Sequence, residues 1–141
     1  MKEGDKMPRK ATKKYEITKE NIEKGGVRLF RVKALKNFSD VKAGDVGGYI
    51  QNEENLSQDG KSWIYGKAAV YDHAKVIGNA VVKDKAQITD TAVIKDNAEI
   101  SGTAWICKNT VIGGKLKIEG DAFVFKTPEP ERKKKTGKGE K

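Results

Sequence analysis

Cysteine is nearly absent: Cys107 is the only one in 141 residues. No disulfide can close within the chain, and no second thiol is available for a metal site. A lone thiol of this kind reads as a small apolar filler. Histidine is as scarce, with His73 alone. No Gly-rich phosphate loop, Ser-His-Asp order or paired-cysteine spacing occurs. Long apolar runs are missing too. Nothing approaches the roughly 18 residues of a membrane-spanning helix, and the opening "MKEGDKMPRKATKKYE" has no apolar stretch that could serve as a signal peptide. The expectation is a cytoplasmic protein.

Positive charge is plentiful, at a formal +9, but it sits at the ends. Residues 1–24 carry eight Lys/Arg against five Asp/Glu, and residues 126–141 seven against three, leaving fourteen against twelve between them. The tails could therefore hold nucleic acid weakly and in a salt-sensitive way. The near-neutral body lacks the basic stripe with interleaved aromatics of a dedicated binder.

Composition divides the chain into a basic, disordered N-terminus (1–16), an N-terminal cap (17–55), a repeat region (56–125) and a disordered basic tail (126–141). Within the cap, "ITKENIEKGG" predicts a short helix: Thr18 can cap it, Ile17 and Ile22 have staple spacing, and Gly25 can end it. "VRLFRVKAL" alternates as a strand, with Phe30, Val32 and Ala34 on one side. A turn-rich stretch follows, where Gly44, Gly47 and Gly48 permit backbone angles that other residues avoid.

From Ser62 to Phe125 a six-residue frame runs without an insertion. Its third position is Ile or Val in all eleven hexads, and its first is Ala in eight, with Ser62, Thr110 and Leu116 as exceptions. Its fifth, counted from Gly60 to Gly120, is Gly six times, Asp four times and Lys once, at Lys108. In an extended chain residues i and i+2 share a face, so positions one and three point inward together. Gly and Asp at position five suit a left-handed corner. Each hexad is a short strand plus a corner, and stacked hexads form a solenoid.

This pattern resembles the hexapeptide-repeat superfamily, and the leader "GDVGGYIQNEENLSQDGKSWIYG" (44–66) looks like a bacterial and phage subgroup often labelled acyltransferases. The resemblance implies an all-β fold, a single-stranded left-handed parallel β-helix of about four coils with three hexads per coil. Residues 18 apart then stack. One outer face would show Trp63 and Tyr65 at its start, and another would show Tyr71, Trp105, Cys107, Phe123 and Phe125.

The last five residues form the expected interface, covered by the N-terminal helix folding back or by another copy of the chain. A homo-oligomer is expected, a trimer if the superfamily is the guide. The superfamily's acyltransferases use a histidine as general base toward acyl-CoA, a role open here to His73 with Asp72 beside it. Those enzymes favour Gly after the aliphatic residue, and among the eleven positions only Gly113 provides it. The unbroken frame also offers no protruding loop for CoA. The expected role is accordingly a non-catalytic binding or assembly module facing a protein partner, in a phage an inhibitor of a host protein. Acyl transfer is the alternative, and no metal or resident cofactor is expected. Asp72 and Asp90, stacked on one corner, suit turn geometry or, in principle, calcium.

Overall fold

The computed structural model describes residues 13–128. Most of both basic tails, and with them the expected disorder and nucleic-acid contacts, lie outside the described residues. The chain is all-β, a left-handed β-solenoid of about four coils behind a small N-terminal cap.

The cap begins with a hairpin of β1 (Tyr15–Lys24) and β2 (Val27–Ala34), so the helix predicted from Ile17 does not form. Gly25 and Gly26 both have left-handed φ, 59° and 81°, and join two paired strands as a two-residue turn. That Gly-Gly turn before an alternating run outweighs the weak capping signals. Ile17 and Ile22, the expected staple, flank an irregularity in the ladder, and both are partly exposed. The N-terminal boundary shifts as well: Lys14 and Tyr15, assigned to the loose terminus, are fully buried.

β3 (Val46–Ile50) pairs antiparallel with β2 and parallel with β5 (Ala69–Val70), carrying the cap into the solenoid. Of the three glycines expected to turn the chain here, only Gly44 has left-handed φ, 98°. Gly47 and Gly48 are strand residues selected by crowding. A Cβ on Gly47 would stand 2.5 Å from Ile64 O, and one on Gly48 2.4 Å from Ile64 Cγ2.

From β4 (Trp63–Ile64) onward the strands recur every six residues: β5, then β6 (Lys75–Val76), β7 (Val81–Val82), β8 (Gln87–Ile88), β9 (Val93–Ile94), β10 (Glu99–Ile100) and β11 (Trp105–Ile106). β12 (Val111–Ile112), β13 (Lys117–Ile118) and β14 (Phe123–Val124) complete the run. Register pairs such as Val93↔Val111, Glu99↔Lys117 and Trp105↔Phe123 are all parallel and 18 residues apart. They form three sheets, ordered β12-β9-β6, β13-β10-β7-β4 and β14-β11-β8-β5-β3-β2-β1.

Nine of the eleven position-three side chains, Ile64 to Ile112, are fully buried, with the alanines of position one between them. A small residue beside each branched one is what a narrow triangular interior can hold at protein packing density. All eleven position-five residues have φ between 57° and 72°. The aspartates among them do a second job. Asp72, Asp84, Asp90 and Asp96 each accept a hydrogen bond from the backbone N–H 18 residues ahead, at 2.7–3.2 Å. A corner carboxylate thus bends its own coil and ties down the next.

Candidate functional site

Around His73 the solenoid meets the cap. The 3-10 turn Glu53–Asn55 is fixed by Asn52, whose side chain accepts from Glu54 N–H, and by Asn55, whose Oδ1 accepts from Gln51 and Asn52 N–H at 2.9 Å. Asn55 is fully buried, and its Nδ2 donates to Ala74 O at 2.8 Å and Asp72 O at 3.2 Å. These bonds lock the turn onto the corner that carries Asp72 and His73. Glu54 is brought to His73 as a result: its Oε2 lies 3.3 Å from Nδ1. Lys75 Nζ stands 3.6 Å from Glu54 Oε1, completing a line of three charged or chargeable groups.

Asp72, the carboxylate expected to orient His73, is occupied elsewhere. Its Oδ2 accepts from Asp90 N–H at 3.2 Å, and its own N–H donates to Gln51 Oε1 at 2.8 Å. Sequence adjacency did not create the pair; a residue 19 positions away did. The "NEEN" turn signal was visible, but the fold alone brings Glu54 to the histidine. Asp72 and Asp90 are likewise engaged with backbone amides, and among the described residues no group of three or more His, Cys, Asp or Glu is placed to hold a metal ion.

With Nδ1–H donated to Glu54, the imidazole's Nε2 lone pair is left to accept a proton, the tautomer a general base needs. His73 opens on a shallow cleft of about 530 Å³ lined by Gln51, Asn52, Asp72, Asp90 and Thr91. Its side chain is 79 % exposed, so an acceptor reaches it without any segment moving.

The face expected as an interface divides in two. Tyr71 is buried beneath the cap hairpin, packed with Leu29, Tyr49 and Ala69, and its hydroxyl donates to Gln87 Oε1 at 3.1 Å. Burial, with Asp72 and Asp90 nearby, raises that hydroxyl's pKa. Cys107 is buried too, and burial pushes its thiol up, away from the reactive thiolate. Trp105, Phe123 and Phe125 remain 42 %, 55 % and 51 % exposed. Their rings follow one another at 5.3 and 5.5 Å, and Trp105 Nε1 donates to Thr89 Oγ1 at 3.0 Å. A hairpin, not a helix, folds back over this face, and only over its first coil. Trp63, expected on an outer face, is 1 % exposed, sealed by Tyr15 and Phe38.

Among the described residues no helix is long and apolar enough to cross a membrane. No protein-family model matches the chain. Over 47 residues, 33 % of this chain, the sequence is 43 % identical to the protein named Uncharacterized acetyltransferase YdcK of Escherichia coli (strain K12). That match spans 14 % of the relative's length. The three-sheet solenoid and this likeness together fit the hexapeptide-repeat superfamily.

Proposed function

We propose that the chain is a CoA-dependent acyltransferase unit of the hexapeptide-repeat type, with His73 as general base. The observation that carries this reading is the His73–Glu54 pair at the mouth of the corner cleft. The local likeness to a protein named as an acetyltransferase supports it. In the reaction, Nε2 of His73 takes the proton from an acceptor hydroxyl or amine as that atom attacks the thioester carbonyl. The C–S bond breaks, and the imidazolium returns the proton to the departing thiolate. Glu54 holds the ring in the required tautomer.

The test is thiol release from acetyl-CoA and longer acyl-CoAs across amino and hydroxyl acceptors. His73→Ala should lower turnover by roughly 100-fold or more, the usual scale for a general base. Glu54→Gln should cause a smaller loss. If no acceptor gives thioester consumption above buffer, the reading fails.

A second reading, a binding or assembly module, is favoured by the exposed strip of Trp105, Phe123 and Phe125. It would present this face to a protein partner, in a phage to a host protein. Trp105→Lys would then abolish partner capture and leave thioester chemistry unaffected.

A further inference from the structure

Among the described residues the last coil has no further rung stacked on it. One coil earlier, Val93 and Lys95 donate their N–H groups to Thr110 and Ile112 carbonyls, Glu99 and Ser101 to Leu116 and Ile118, and Trp105 and Cys107 to Ala122 and Val124, all at 2.8–3.0 Å. The residues 18 further on, Val111, Gly113, Lys117, Glu119, Phe123 and Phe125, aim the same groups away from the coil. No described rung lies beyond to receive them. Among the described residues, Val111 N–H is the one of these that is engaged, by Thr127 Oγ1 at 2.9 Å.

Apolar surface is uncovered alongside these edges. Leu116 is 39 % exposed, and Ile118, Ala122 and Val124 are only partly buried, whereas their counterparts in the preceding coil are fully buried. The chain's own continuation is poorly suited to cover them. Pro128 and Pro130 fall at positions one and three of the next hexad, where proline lacks the N–H that closes the corner at position one and the N–H that serves the ladder at position three, and residues 126–141 contain no other apolar residue.

We propose that this end is an interface for a second copy of the chain, docked end to end about a two-fold axis at Ile118. Antiparallel pairing about that axis sets Lys117 opposite Glu119 of the second copy, and Glu119 opposite its Lys117. The same rotation sets Val111 opposite Phe125 and Gly113 opposite Phe123. In every pair both residues turn their N–H and C=O groups toward the joint, as hydrogen-bonded pairs of an antiparallel ladder require, and at Val111 the second copy must displace Thr127 Oγ1 to form its pair. Inward Ile112 meets inward Val124, so the core runs through.

The pitch also fits. A coil climbs about 4.8 Å over three faces, so its end is a ramp. The face that stops lowest on one copy meets the face that stops highest on the other, and all three gaps close to one strand spacing. Lys117 and Glu119 are both exposed, so the outer surface of the central pair is self-complementary in charge. Gly113, having no side chain, leaves room beside the ring of Phe123. The exposed strip of each copy would thereby end against the Val111–Gly113 face of the other.

This interface is independent of the chemistry at His73. Sedimentation equilibrium of the full chain should give a monomer–dimer equilibrium. Glu119→Lys, which touches no ion pair within the described residues, places lysine opposite Lys117 and should raise the dissociation constant roughly tenfold. Lys117→Glu should do the same by the opposite charge. An equimolar mixture of the two variants should dimerise about as tightly as the wild type, because every cross pair is then of opposite sign. Circular dichroism of each variant would establish that the solenoid is intact. A monomer at millimolar concentration, a trimer, or a dimer that neither variant weakens would each overturn the proposal.

Discussion

At the N-terminal end Trp63 packs edge-on against Tyr15 and Phe38, with ring centroids 6.3 and 5.3 Å away, and is almost wholly buried. At the C-terminal end Phe123 and Phe125 occupy an equally aromatic surface but remain half exposed. Parallel strands leave both ends with open edges, and an open edge must be continued, covered or charged. The chain devotes residues 14–62 to covering one end, whereas at the other the ladder has no further rung among the described residues. The contrast separates residues that hold the fold from residues left in contact with water.

The sharpest way to break this comparison is to delete one aromatic side chain at each end. Trp63→Ala should cost about 4 kcal/mol, because it empties a sealed site and strips Tyr15 and Phe38 of their neighbour. Phe123→Ala should cost under about 1 kcal/mol in the monomer, since most of its area is already in water. Urea denaturation of both variants at low protein concentration measures the difference. Equal losses would mean that the two ends are sealed alike.

Asn55→Ala should come next, at about 2–3 kcal/mol, because it strands the part-buried N–H groups of Gln51 and Asn52 and the carbonyls of Asp72 and Ala74, the last of them buried. The variant also frees the turn that holds Glu54 at His73. Any acyl-transfer activity should therefore fall further than stability alone explains, read as a lower turnover at a temperature where the variant remains folded.

Lys14 supplies a test by pH. Its side chain is buried at the cap, where Nζ donates to Ser62 O at 2.7 Å, Ser62 Oγ at 3.1 Å, and Asp59 and Gly60 O at 3.3 and 3.5 Å. Burial lowers its pKa from 10.5 to about 8. Between those values the unfolded chain binds more protons than the folded one, so the contribution of this group rises as the pH climbs from about 8. Burial shifts Tyr15 upward, and stability tied to that hydroxyl is held below pH 10 and lost above it, which sets the upper limit of the experiment. Between pH 8 and 10 the stability of the wild type relative to Lys14→Met should increase by about 2 kcal/mol. A flat difference would show that the carbonyl cage holds the ammonium as well as water does.

The solenoid was legible because its signal is repeated: Ile or Val at every sixth residue admits one packing, and Ile64 to Ile112 all point inward. The cap is less legible because each of its signals occurs once. Thr18, Ile17 and Ile22 imitate a helix start, and nothing local shows that Tyr15 will find Trp63 or that Lys14 will find four acceptors across more than forty residues of chain. The candidate site was half legible for the same reason. His73 stands out by its scarcity and Asp72 by adjacency, whereas Glu54 reaches His73 only through the buried amide of Asn55.

The smallest expected effect is a gain, and it tests how far the corner rule extends into the open end. Lys108 is the one position-five residue that is neither Gly nor Asp, yet its φ is 61°. An ordinary L-residue there costs about 1–2 kcal/mol, offset in part when glycine replaces it by the greater freedom glycine has when unfolded. Lys108→Gly should therefore stabilise the protein by about 0.5–1 kcal/mol. The bond from its N–H to Asp90 Oδ2, at 2.7 Å, involves backbone only on the Lys108 side and is retained. Gly102→Ala, at another corner one coil from the end, reverses the experiment, because its Cβ would lie 2.5 Å from Gly120 O. Thermal melts of the two variants should move in opposite directions. If Lys108→Gly lowers the midpoint instead, the lysine side chain stabilises this corner by more than its backbone strain costs.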